Sequence, residues 1–142
     1  MKTKKSMANK VVIDTNVLVS ALSSKSEYHK LVIDILEEQI EVYITDEILL
    51  EYEEILRIKY SENVAINFLK ALKELPNVFL VQVYFRWNLL KDMDDNKFVD
   101  CYVAANANIL ISNDKGFRIL NQVEFPVIRL MTIEQYFVQP TI

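Results

Sequence analysis

Residues 11–17 read Val11-Val12-Ile13-Asp14-Thr15-Asn16-Val17, and the fold is decided there. Three β-branched apolar residues in a row leave no polar face, which suits a strand of a parallel sheet buried on both sides. The run stops at Asp14, and Asn16 is the expected cap of a helix over 17–22. Working outward, the same alternation recurs along the chain. Strands are expected at 42–44, 78–83, 109–111 and 127–128, with helices over 27–39, 46–59, 61–74, 94–107, 113–120 and 133–137. Thr45, Ser61 and Thr132 stand as caps, and Pro76-Asn77 breaks the helical pattern before the third strand. Residues 85–93 are expected to be irregular or a short helix. The prediction is an α/β chain: a three-layer α/β/α domain around a mainly parallel sheet with right-handed crossovers.

Composition narrows the chemistry. One Cys and one His among 142 residues exclude a zinc finger and an internal disulfide framework, and a single Gly excludes the Gly-rich phosphate loops. The formal charge is −4, and four of the basic residues (Lys2, Lys4, Lys5, Lys10) fall in the first ten positions, so the body is more acidic still. Residues 1–9 are expected to form a flexible leader, with 10–142 as a single domain. The basic start resembles the first part of a signal peptide, but Asp14 breaks the apolar run behind it. No apolar stretch approaches the ~20 residues that span a membrane. With a lone Cys101 that suits a reducing interior, the expected location is the cytoplasm.

In open parallel sheets the working face lies at the carboxyl ends of the strands, and that rule sorts the acids. Asp14 directly follows the first strand, and Asp114 comes three residues after Ile111. Either could equally be an ordinary helix cap. On the helical wheel of 46–58, Glu51 falls among Ile48, Leu49, Tyr52, Ile55, Leu56 and Ile58, within the apolar half. A carboxylate there calls for a metal, a cleft or a salt bridge at the core's margin. Asp92, Asp94 and Asp95 crowd one helix start, where capping accounts for one acid and not obviously for three. Asp95 projects on the side of Val99 and Tyr102. Asp100 shares a sector with Asn96 and Lys97, which suits a solvated or locally paired face. Asp95 is therefore the favoured functional acid, with Asp100 structural or supporting.

Four segments taken together resemble the PIN domain: VVIDTNV (11–17), TDEILLEYEEIL (45–56), DDNKFVDCYVAANA (94–107) and ILISNDKGF (109–117). The resemblance runs from Lys10 nearly to the end and is especially similar to the toxin branch related to the VapC toxins. It implies that the family's acids correspond to Asp14, Glu51, Asp95 and Asp114. Asp100 also aligns with an acidic position of the branch and stays in reserve. Ser112 stands where the family usually has Thr, which keeps the hydroxyl. Asn106 and Asn108 stand where Gly is common, and Asn tolerates positive φ.

The resemblance implies a metal-dependent ribonuclease leaving a 5′-phosphate and a 3′-hydroxyl. Four carboxylates without His or Cys suit hard cations, Mg²⁺ or Mn²⁺. Asp14, Asp95 and Asp114 are the expected metal ligands, direct or through water, with Glu51 orienting a metal-bound water. RNA as substrate, an antitoxin protein and a homodimer are the expected partners; crowded apolar residues on helix 61–74 (Ile66, Phe68, Leu69, Leu72) point the same way. Lys115 and Arg118 are candidates for RNA phosphates, and Tyr84 and Trp87 for base stacking, although solvated charges and aromatic packing are the commoner uses. His29 is expected at the surface or a helix cap, and Cys101 in the core. The alternative is a catalytically silent PIN-fold module that binds RNA or protein. A receiver-like domain fits poorly, because its phospho-acceptor Asp would follow the third strand.

Overall fold

The computed structural model describes residues 8–139. Strands β1 (Asn9–Ile13), β2 (Ile40–Ile44), β3 (Val78–Leu80), β4 (Ile109–Ile111) and β5 (Leu130–Met131) form one sheet in the order β3-β2-β1-β4-β5. All four pairings are parallel. Helices α1 (Thr15–Ala21), α2 (Lys30–Leu36), α3 (Asp46–Lys59), α4 (Glu62–Glu74), α5 (Asn96–Ala105) and α6 (Ile133–Val138) complete the three-layer α/β/α domain. The apolar runs that mark β1 and β4 are the most deeply buried part of it. Val11, Val12, Ile13, Ile109, Leu110 and Ile111 are all at 0% exposure, as expected of central strands covered on both faces.

The chain winds outward from β1 to β2 and β3, then returns to place β4 on the other side of β1. That reversal opens a crevice at the carboxyl ends of β1 and β4, where both side chains and backbone groups escape the ladder. The register Ile13↔Ile111 brings the residues that follow both strands to the same level.

Capping signals are expressed largely as the residue types demand. The Thr45 hydroxyl accepts the Ile48 amide at 3.2 Å, Ser61 accepts Val64 at 3.1 Å, and Thr132 with Gln135 closes a full capping box. Asn106 ends α5 in the left-handed region at φ 53°. Asn108 does not need that conformation; its Oδ1 accepts the Lys10 amide at 2.8 Å and fastens β4 to the start of β1. Buried Asn77 plays a similar part, donating to the Ile35 and Ile40 carbonyls at 2.9 and 2.8 Å.

Several expectations are corrected. α1 begins at Thr15 with Asp14 in the cap position, so Asn16 lies within the helix. α2 starts at Lys30 rather than 27, because Ser26 and its neighbours close turns instead. The last strand is Leu130–Met131 and not 127–128, since the amides of Leu110 and Ser112 bond the carbonyls of Arg129 and Met131. Asn9, expected in the leader, pairs with Ile40 in the sheet; positions 1–7 of that leader lie outside the described residues. Residues 81–92 carry no regular structure, and a 3-10 turn at Met93–Asp95 leads into α5.

Candidate active site

Asp14 stands at the crevice with 5% of its surface exposed. Its amide bonds the Ile111 carbonyl at 2.9 Å, and its Oδ2 accepts the Ser112 hydroxyl at 2.8 Å. The same hydroxyl oxygen accepts the Asp114 amide at 3.1 Å. One small side chain therefore ties the carboxylate after β1 to the turn after β4. Asp114 in turn caps the 3-10 segment Lys115–Gln122, its Oδ1 accepting the Gly116 amide at 2.8 Å.

α3 supplies the third acid. Tyr52 is fully buried, and its hydroxyl donates to the Ile13 carbonyl at 2.5 Å, pinning the helix against the end of β1. Glu51, one residue earlier, is thereby held at the margin of the core. There it meets Lys97 of α5 at 2.5 Å, the salt-bridge alternative that its position on the wheel allowed. The wheel overstated the apolar half, however: Ile58 is 72% exposed, and the fully buried positions of α3 are Ile48, Tyr52 and Leu56.

Asp95 is the cap residue of α5, and Asp92 starts the 3-10 turn before it. Burial and the repulsion of Asp92, Asp14, Asp114 and Glu51 push the Asp95 carboxyl up to about 6. Asp14 is likewise pushed up to about 6, by burial first and by Glu51 and Asp114 after it, against the lowering effect of the Ser112 hydroxyl. The structure thus brings Asp14, Glu51, Asp95 and Asp114 into one electrostatic group.

Asp100 does not join it; its charged neighbours are Arg86 and Glu47. Of the two expectations for its sector, solvated or locally paired, the second holds: Asp100 and Asn96 are 2% and 4% exposed, and Arg86 lies 3.9 Å from Asp100. The loop before α5 folds over that face. Asp100 accepts the Trp87 amide at 2.9 Å, and Asn96 clamps the backbone of Leu90 from both sides. Burial raises the Asp100 carboxyl despite that bond. Spacing alone did not reveal this, since a loop without periodicity covers the helix.

His29 is the cap residue of α2, with Nδ1 2.9 Å from the Ala21 carbonyl, and Cys101 is core at 0% exposure. Trp87 packs edge-on against both Phe85 and Phe125, whereas Tyr84 is 89% exposed. Lys97 was passed over in the sequence. No local signal pairs it with Glu51, which lies on another helix.

The donor set is all hard oxygen, and the raised carboxyls of Asp14 and Asp95 are what a divalent cation would reverse. In chemistry the residues fit Mg²⁺ or Mn²⁺. The expected convergence on one shared position is not made: among the described residues, no three acids stand close enough to hold an ion between them. Ser112, Lys97 and the Gly116 amide hold three of the carboxylates separately.

An acid-lined crevice at the strand-order reversal of a parallel five-stranded sheet defines the class. The PIN domain model matches residues 10–116, and the chain belongs to that family. It is 32% identical over 113 residues to the uncharacterized protein MJ1680 of Methanocaldococcus jannaschii, covering 75% of this chain and 71% of that one. Among solved structures, it is similar to VapC20 of Mycobacterium tuberculosis, a sarcin–ricin-loop-cleaving toxin (TM-score 0.59, 13% identity, 80% of this chain and 97% of that one). A chain of VapBC2 from Rickettsia felis, bound to a promoter DNA fragment, matches with TM-score 0.56 and 14% identity over 87% and 98% of the two chains. The PIN domain endonuclease Utp24 matches with TM-score 0.53 and 19% identity over 87% and 84%. At these identities the three structures share the fold.

Proposed function

We propose that this protein is a divalent-metal-dependent endoribonuclease and the toxin of a toxin–antitoxin pair. The carrying observation is that the Ser112 hydroxyl ties the Asp14 carboxylate after β1 to the Asp114 turn after β4, with Tyr52 holding the helix of Glu51 against the end of β1. The cleaving activities of VapC20 and Utp24 support the reaction class, and the VapBC2 likeness supports an antitoxin partner. Asp14, Asp95 and Asp114 would hold Mg²⁺ or Mn²⁺, directly or through water, and Glu51 would orient a water. The bound ion supplies a Lewis acid and a water of lowered pKa. Ser112 keeps Asp14 oriented. Lys115 and Arg118, following Asp114, are the cations for RNA phosphates. Hydrolysis leaves a 5′-phosphate and a 3′-hydroxyl.

No helix among the described residues is long and apolar enough to cross a membrane, which agrees with a cytoplasmic location. A groove of about 690 Å³ between α3 and α4, edged by Leu50 and Ile66 at 65% and 48% exposure, supports association with an antitoxin or a second copy.

The test is cleavage of single-stranded RNA by the purified protein with Mn²⁺, Mg²⁺ or EDTA, with end-sequencing of the products. Activity is expected with either metal, absent in EDTA and lost in Asp14→Asn. Full activity in Asp14→Asn rejects the reading. The separately held carboxylates favour a second reading, a silent binding module. RNA binding without cleavage in Mn²⁺ would select it.

A further inference from the structure

Residues 81–92 carry no regular structure, yet the middle of the segment is fixed. The Trp87 amide donates to the buried Asp100 at 2.9 Å, and Arg86 Nη1 lies 3.5 Å from Glu47 and 3.9 Å from Asp100. The segment is thus a strap across α3 and α5. Glu47 precedes Glu51 on α3 by one turn, about 6 Å along the helix axis. Asp100 follows Lys97, the partner of Glu51, by about one turn of α5. The strap therefore flanks the acid group. Its rings stay out of the core: Phe85 is 63% exposed, and Phe125, on a later loop, is 78% exposed. Both meet Trp87, at centroid distances of 4.7 and 5.8 Å and interplanar angles of 71° and 72°, so neither phenyl ring is stacked on a neighbour. Large rings left in water on an anchored segment add nothing to the core and mark a contact surface.

We propose that Phe85 and Phe125 form a stacking platform for unpaired RNA bases beside the acid group. Trp87 holds the two rings in place, and Arg86 takes a phosphate of the same strand. This rests on the RNA-cleaving reading above and deepens it, by saying how the substrate is held. Every base has a π-face, so the platform accepts single strands with little sequence preference and rejects a duplex, whose bases are already stacked. The charge of Arg86 suits the strand. Both of its ion pairs run through Nη1 and are longer than a good hydrogen bond, and at 59% exposure such pairs hold weakly. A phosphate can take two parallel bonds from the planar fork. The net charge of −4 makes phosphate attraction alone a poor source of affinity, whereas stacking does not depend on it. Position favours RNA over a protein partner, because the strap runs directly into Asp92 and Asp95, at the proposed point of cleavage.

Trp87 is the only tryptophan of the chain, so its emission reads the platform alone. The full chain, in EDTA to stop metal-dependent cleavage, is titrated with a short labelled oligoadenylate, its duplex with oligouridylate, and an abasic strand of equal length. Oligoadenylate is expected to quench Trp87 and to bind more tightly than either of the others. Phe85→Leu and Phe125→Leu, both at exposed positions, should each weaken it by about 5- to 100-fold. Between 50 and 200 mM salt the wild type should lose less than about tenfold, where a binder driven by many phosphate contacts loses about 10³–10⁵. Oligoadenylate that leaves Trp87 unchanged and binds both Leu variants as it binds the wild type overturns the platform; so does a preference for duplex, or equal binding of the abasic strand. Each of these leaves the ribonuclease reading standing. No RNA binding by the wild type overturns the platform as well, and if RNA is also uncut in Mn²⁺ the ribonuclease reading falls with it. A Trp87 emission that ignores RNA but shifts with protein concentration assigns the rings to a contact between copies instead. Should a Leu variant not fold by circular dichroism, quenching of wild-type Trp87 by oligoadenylate and not by the abasic strand decides.

Discussion

Replacing Asp14 by Asn should stabilise the metal-free protein while abolishing what the site does. The Asp14 carboxyl is nearly buried, and its pKa rises from 3.8 to about 6. Each unit corresponds to about 1.4 kcal/mol, so the ionised form costs the native state about 3 kcal/mol at pH 8. The sign follows from proton binding. Between the unfolded value near 4 and the native value near 6, the native state holds its proton more tightly. Stability is therefore lost as pH rises through that window, and the loss is complete above it. Asn keeps the shape and can still accept the Ser112 hydroxyl, but it carries no charge. Denaturant unfolding in EDTA should then find Asp14→Asn more stable than wild type by about 3 kcal/mol at pH 8, or roughly 6–12 °C in midpoint. At pH 4.5 the gap should shrink to about 1 kcal/mol. Millimolar Mg²⁺ should narrow it at pH 8 by stabilising the wild type alone. Equal stabilities at pH 8, or a gap that does not change with pH, would refute the reasoning.

Other substitutions test the scaffold and the division of roles. Tyr52→Phe leaves the buried Ile13 carbonyl without its donor and should cost about 1–3 kcal/mol by chemical denaturation, with less RNA cleavage as Glu51 loosens. Asn77→Ala strands two buried carbonyls, of Ile35 and Ile40, and should destabilise by about 2–4 kcal/mol. Asp100→Asn keeps an acceptor for the Trp87 amide and lies outside the acid group, so RNA cleavage should fall less than about tenfold, against near-complete loss in Asp14→Asn. Ser112→Thr retains the hydroxyl and should keep activity, whereas Ser112→Ala should lower it by releasing Asp14 and the Asp114 amide together, as a steady-state comparison would read.

Much of the fold is legible in short runs. Val11–Ile13 and Ile109–Ile111 announce themselves as central strands because both of their faces must be covered, so no polar residue interrupts them. Thr45 and Ser61 mark helix starts because a hydroxyl can satisfy an amide that the helix leaves open. β5 was misplaced by three residues for the opposite reason. It is a two-residue edge strand whose position is set by partners on β4, although Val127 and Ile128 have the higher strand propensity.

The sequence by itself determined the strand–helix alternation, the acids that end strands, and the lack of any Cys/His cluster, because these depend on periodicity, composition and side-chain chemistry within a few residues. Only the tertiary structure decided what each acid contacts. Asp95 and Asp100 lie five positions apart on one helix, and local pattern distinguishes them weakly. Asp95 caps the start of α5 within the electrostatic reach of Asp14, Asp114 and Glu51, and the loop folded over α5 commits Asp100 to the buried contact with Trp87. Lys97 belongs to the same class. Its partner Glu51 lies on another helix, and only long-range packing brings an ammonium and a carboxylate together out of water.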